Sequence, residues 1–115
     1  MTQTALTREQ VLMAKPGDHL DLLVAINVMG FEPSNQRSGW VRIGALATYP
    51  KRYSTDISAA WEVLNKMIYF GMEVNVGFYE KWDCALDYNG TNWCEQAETA
   101  PEAICKAALL AVLDL

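Results

Sequence analysis

Metal ligands and nucleophiles are scarce in this chain. It holds one histidine and three cysteines among 115 residues. Cys84, Cys94 and Cys105 form no C-x-x-C pair, and none lies near His19. That spacing argues against a zinc motif, and an odd number of thiols argues against a disulfide framework. No serine or cysteine stands at a recognisable distance from His19. No catalytic residue, metal ligand or cofactor is therefore assigned, and the chain reads as a non-enzyme. Cations are few as well. Nine Lys and Arg face fourteen Asp and Glu, for a formal charge of −5 and a pI near 4.7. Sequence-independent grip on nucleic acid relies on clustered Lys and Arg neutralising phosphates, so nucleic acid is not an expected partner. No apolar run reaches the roughly 20 residues of a membrane span. The N-terminus lacks the basic and apolar regions of a secretory signal, so a cytosolic protein without membrane attachment is expected.

What remains is ordinary globular material, 51% hydrophobic and 20% charged. Residues 1–115 suit one α+β domain with its own core, Met1–Thr4 fraying at its start. The clearest local signal is the last stretch, Thr99–Leu115 (TAPEAICKAALLAVLDL). Thr99 and Glu102 have capping-box spacing, with the threonine hydroxyl on the Glu102 N–H and the Glu102 side chain reaching back. Pro101 sits in the first turn, where its missing N–H costs nothing. The helix then runs on as Ala and Leu, so most of its circumference should be buried. Glu102 and Lys106, four apart, would mark its wet edge as an ion pair. Its small side chains predict very close packing by a neighbour.

Taken in order, Thr7-Arg8-Glu9-Gln10 predicts another capping box and a short helix ending at Lys15-Pro16-Gly17. Asp18 reads as the N-cap of an apolar helix, Leu20–Met29, closed by Gly30. Pro33–Gly39 is loop chemistry. Trp40–Thr48 reads as one extra strand, and Tyr49–Tyr53 as a basic, aromatic turn. A second long helix starts within Ser54-Thr55-Asp56. Its apolar stripe is Ile57, Ala60, Trp61, Leu64, Met67 and Ile68, and Gly71 ends it. Met72–Tyr79 alternates with a period of two. Two more strands flank Asn89-Gly90, the signature of a type I′ hairpin. That turn places Trp82, Cys84, Leu86, Trp93 and Ala97 on a core face, with Asp83, Asp87, Asn92 and Gln96 on a wetter one. Cys84 and Cys94 then point apart. The fold expected is a three-stranded antiparallel meander in an α-β-β-β-α order. The Trp61 helix and the closing helix lie on one sheet face. Trp61 and Trp82 are expected in the core.

Three pieces in this order resemble the phage ABA-sandwich domain family: Leu20–Phe31 (LDLLVAINVMGF), Tyr53–Val63 (YSTDISAAWEV) and Thr99–Leu110 (TAPEAICKAALL). One departure is the stretch Glu32–Arg52, longer than the family's short link. The resemblance implies layered helices and sheet and a phage or prophage origin. It also implies residence in the cytoplasm of an infected or lysogenic bacterium. It brings no established activity. The αβββα order also resembles a double-stranded-RNA-binding domain, but as topology only; the closing helix offers one lysine where such modules cluster cations.

Two constellations are candidate ligand-binding residues. Lys51, Arg52, Tyr53, Ser54 and Thr55 precede a helix, where free N–H groups, hydroxyls and two cations suit a small anion. The Asp56 carboxylate would compete there, and an ordinary Ser/Thr/Asp cap is the plainer reading. Trp40 and Arg42, with Tyr49 and Tyr53, would form an aromatic, basic surface of the residue types that dominate interface hot spots. The plainer alternative packs Trp40 under its loop. Asp83 and Asp87 read as solubilising, and Cys105 as an inert buried thiol. The functional expectation is a phage accessory protein acting by stoichiometric binding to a host or phage protein. The alternatives are a binder of a small nucleotide-like anion and a homo-oligomeric structural component.

Overall fold

Eleven of the fourteen residues of the last helix, α4 (Ala100–Leu113), are buried, and the rest of the chain is arranged to bury them. The computed structural model describes residues 6–115; the fraying expected at Met1–Thr4 lies outside the described residues. Thr99 is extended and its hydroxyl accepts from the Glu102 N–H at 3.4 Å. Only this half of the expected capping box forms. The Glu102 carboxylate turns instead to Lys106 Nζ at 2.7 Å. That pair is nearly buried rather than wet, because Lys106 also donates to the Leu12 carbonyl at 2.9 Å. Leu12 belongs to α1 (Arg8–Met13), which starts at a complete Thr7/Gln10 capping box and lies across α4.

The sheet beneath α4 is β4 (Glu73–Tyr79), β5 (Lys81–Tyr88) and β6 (Thr91–Ala97), an antiparallel meander. Asn89 and Gly90 have φ of 50° and 85°, the double left-handed turn that a type I′ hairpin requires. Tyr88 accordingly opposes Thr91, and Leu86 opposes Trp93. Cys84, Leu86 and Ala97 are buried under α4, and Trp93 is half-buried. Glu95 lies on this same face and is tied to Arg8 of α1 at 3.1 Å. Among the described residues no helix covers the other face, with Asp83, Asp87, Asn92, Cys94 and Gln96. The Asn89-Gly90 turn and the division of residues between the two faces agree with the expected α+β arrangement.

The long helix α3 (Ile57–Tyr69) packs beside α4 and over β4, but rotated from the expected stripe. Its buried residues are Ala59, Ala60, Val63, Leu64 and Met67. At 100° per residue this face is turned by roughly 70° from the one the apolar pattern centres on. Trp61 is therefore not core: it is 57% exposed. Trp82, also expected in the core, is partly exposed at the far end of β5. The reason is width. The apolar arc of α3 exceeds what α4 and the sheet can cover, and the small residues Ala59 and Ala60 allow the closest approach to α4.

Two further expectations change. Helix α2 (Asp18–Asn27) is capped by Gly17, at φ 139°, with Asp18 inside its first turn and its end two residues before Met29. The single strand expected at Trp40–Thr48 is two strands, β2 (Val41–Ile43) and β3 (Leu46–Thr48). Gly44, at φ 62°, makes the turn between them, and Ile43 opposes Leu46. β2 also pairs with the short β1 (Glu32–Pro33), so the segment forms a small sheet of its own. Val41, fully buried, fastens that sheet to α2.

Core truncation and core crowding should both unfold this arrangement. Leu110→Ala is expected to lower stability by about 2–5 kcal/mol through the cavity it leaves. Ala107→Leu should cost about 1–3 kcal/mol through overpacking. Urea denaturation followed by tryptophan fluorescence measures both.

Candidate functional site

A buried knot joins the start of α2 to the lead-in of α3. Asp21, 4% exposed, accepts from the Ser54 N–H at 2.8 Å and the Ser54 hydroxyl at 2.6 Å. The Ser54 oxygen in turn accepts from the Gly17 N–H at 2.9 Å. These bonds leave no buried side-chain polar atom unpaired among the described residues. Beside Ser54, Tyr53 is buried too. Its hydroxyl pKa is pushed up to about 12, first by burial and then by the Glu62 and Asp21 carboxylates. It is a neutral packing group.

Above the knot opens a cleft of about 860 Å³, within the range of small-molecule sites. One wall is the first turn of α2, with Asp18, His19, Asp21 and Leu22. The other is Ser38, Gly39 and Trp40 with Tyr49, Pro50 and Arg52. The second wall is held by local bonds. Ser34 Oγ accepts from the Gln36 and Arg37 N–H groups at 3.1 and 3.2 Å, a serine turn, and Ser34 N–H donates to the Trp40 carbonyl at 2.9 Å. This geometry lays the Arg37 guanidinium 4.4 Å from the Trp40 ring centre. The Trp40 and Tyr49 rings meet at 4.4 Å, tilted by 51°. The cleft thus offers an aromatic pair, a cation on its back, Arg52 and His19 at its rim, and the Asp18 carboxylate opposite.

Of the eight residues singled out from sequence, Trp40, Tyr49 and Arg52 converge on the cleft. Tyr53 and Ser54 lie beneath it as structure. Arg42 is on β2, ion-paired to Glu32. Lys51 is held by Glu62 at 2.9 Å, and Thr55 is exposed outside the lining. The start of α3 is occupied as the plainer reading has it: Asp56 caps it, accepting from the Ser58 N–H at 3.1 Å. Among the described residues Arg52 has no carboxylate at ion-pair distance, unlike Arg42 and Lys51. Asp18, His19 and Arg37 were not anticipated. They come from a helix start and a loop far from Arg52 in sequence, and only the tertiary fold brings them there.

The thiols lie elsewhere. Burial, then Cys94 and Asp83, pushes the Cys84 pKa up to about 12, and burial raises Cys105 further. Ellman's reagent at neutral pH should therefore modify one thiol, Cys94, in the native protein and all three after unfolding. The knot has its own test. Asp21→Ala strands the Ser54 N–H and hydroxyl in a dry site and should cost about 2–3 kcal/mol, read by urea denaturation.

No curated protein matches the chain. Among solved structures, a 2.0 Å crystal structure of a phage protein from Bacillus cereus ATCC 14579 is similar, with a TM-score of 0.70 and 26% identity. The match covers 95% of this chain and 96% of that one. No helix among the described residues is long and apolar enough to cross a membrane. The phage ABA sandwich domain matches residues 22–109, from within α2 through the cleft and the sheet into α4. The order of layers, the buried terminal helix and that match agree: this chain belongs to the phage ABA sandwich domain family.

Proposed function

We propose that the protein acts by stoichiometric binding in the cytoplasm of the infected or lysogenic bacterium, and that its cleft sequesters a small nucleotide-like anion. The observation that carries this reading is the convergence of Trp40, Tyr49 and Arg52 on one cleft of about 860 Å³. A planar ring would lie against Tyr49, 70% exposed beside Trp40. A phosphate would take Arg52, a free guanidinium whose planar fork suits phosphate oxygens. His19 stands on the same rim, and Asp18 suits a hydroxyl or amine donor between ring and phosphate. Asp21 Oδ1 is held by the Ser54 N–H and hydroxyl at the foot of the same wall.

Titration with a panel of mono-, di- and cyclic nucleotides tests this reading. A bound nucleotide at a hundredfold excess over Kd adds about 2.7 kcal/mol of stability. For a chain of this size that raises Tm by roughly 10 °C. Arg52→Ala should weaken binding about 10- to 100-fold in calorimetry, the loss of a charge-assisted bond. Trp40→Ala should weaken it as much, and Lys51→Ala should leave it unchanged. A panel that moves Tm nowhere at millimolar concentration removes the reading.

A second reading, binding to a host or phage protein, draws support from the hairpin tip. Ile43 and Leu46 oppose each other there and both are exposed, 48% and 73%, on an arm that the buried Val41 anchors. An apolar finger of this kind suits insertion into a partner's groove.

A further inference from the structure

Three apolar side chains of α3 point away from the core in one line. At 100° per residue Ile57, Trp61 and Ile68 fall within about 40° of each other. They flank the buried face on the side opposite Glu62, whose carboxylate faces Lys51. About half of each is exposed. β4 leaves α3 through the Gly71 turn and runs back along it, so its helix-side row, Val74, Val76 and Phe78, lies beside this line. Phe78 is 62% exposed and meets Trp82 edge-on at 5.2 Å. β4 is also an edge: β5 pairs one side of it, and no described residue pairs the other. Native edge strands are usually blunted by proline, bulges, lysine or shortness. β4 has seven residues, an unbroken register, no proline and one charge, Glu73.

We propose that two copies of this chain pair through their β4 edges, antiparallel about a two-fold axis at Val76. The two sheets become one of six strands, and each α3 lies against the other. The strand is complementary to itself in that register. Val76 faces its own copy, Val74 faces Phe78, Asn75 faces Gly77, and Glu73 faces Tyr79. The helix-side row is apolar across the whole seam, and no like charges oppose, as a two-fold interface requires. Size agrees as well. A buried aromatic covers about 150–250 Å². The uncovered parts of Trp61, Phe78 and Trp82, with two isoleucines and the strand edge, sum to several hundred Å² per copy, the scale of the roughly 800 Å² per partner of a standard interface. This interface shares no residue with the cleft, so either stands if the other falls.

Sedimentation velocity of the whole chain at micromolar concentrations should give twice the 12.9 kDa chain mass. Trp61→Glu combined with Ile68→Glu alters exposed positions only and should give a monomer of unchanged circular dichroism. Leu46→Glu, at the hairpin tip, should stay a dimer. Cross-linking tests the register in a Cys84→Ala, Cys94→Ser background, because Cys84 directly opposes Val76 within the chain and would capture a thiol placed there. Facing residues of paired strands have Cα atoms about 4.5–5.5 Å apart, within disulfide reach. Val76→Cys should therefore form an intermolecular disulfide on mild oxidation. Val74→Cys, about 14 Å from its own copy, should not. A monomeric unaltered chain overturns the proposal. So does a dimer that survives the double glutamate change, or one in which Val74→Cys links as readily as Val76→Cys.

Discussion

A helix with almost no polar face can exist in water only if other elements close around it. α4 meets this constraint with the sheet below, α3 along one side, and α2 and α1 on the rest. Its surface of Ala100, Ala103, Ala107, Ala108 and Ala111 gives neighbouring backbones close approach, while Ile104, Leu109 and Leu110 supply the apolar volume. Packing this dense leaves little room for error in either direction. It also forces the one cation on the helix into the interior. Lys106 is tolerated there because its ammonium donates to the Glu102 carboxylate and the Leu12 carbonyl, which fastens α1 to α4 at the same time.

The Asp21–Ser54 knot does for the cleft what α4 does for the core. A carboxylate this buried must be hydrogen-bonded. It finds its partners on the chain leading into α3, so the start of α2 and the Tyr49–Ser54 segment are held at a set distance. The cleft is the space left between them. One wall stands on a helix that packs on α4; the other is a loop wired by Ser34 and anchored by Val41. The Trp40 ring is thereby fixed between the Ser34 turn, the Arg37 guanidinium and Tyr49.

Much of the fold was legible in the sequence because it rests on local chemistry. The Asn89-Gly90 turn, the Thr7 box, Pro101 in a first turn and the period of two along Met72–Tyr79 each act over a few residues and meet no competitor. Errors arose where a distant partner decided. Asp18 was read as a cap, yet the adjoining glycine has that place and Asp21 is drawn inward by Ser54. The single strand expected over Trp40–Thr48 is broken by Gly44, whose positive φ turns the chain between two strands. For the cleft, the aromatic and basic character of Trp40, Tyr49 and Arg52 was visible. Lys51 and Arg42 have the same local character, and only the fold pairs them with Glu62 and Glu32.

By itself, the order of residues determined which long segments are helical, which run of the chain forms the meander, where its Asn89-Gly90 hairpin turns and which of its faces is apolar. Those outcomes follow from hydrogen bonds, caps and side-chain periods within a few positions of each other. The tertiary structure alone decided which part of an over-wide apolar arc on α3 goes inside. It alone decided which charges are spent on ion pairs and which remain free, and that a histidine near residue 20 shares a cleft with an arginine near residue 50. The physical reason is that burial and charge pairing depend on neighbours chosen by the packing of the whole domain.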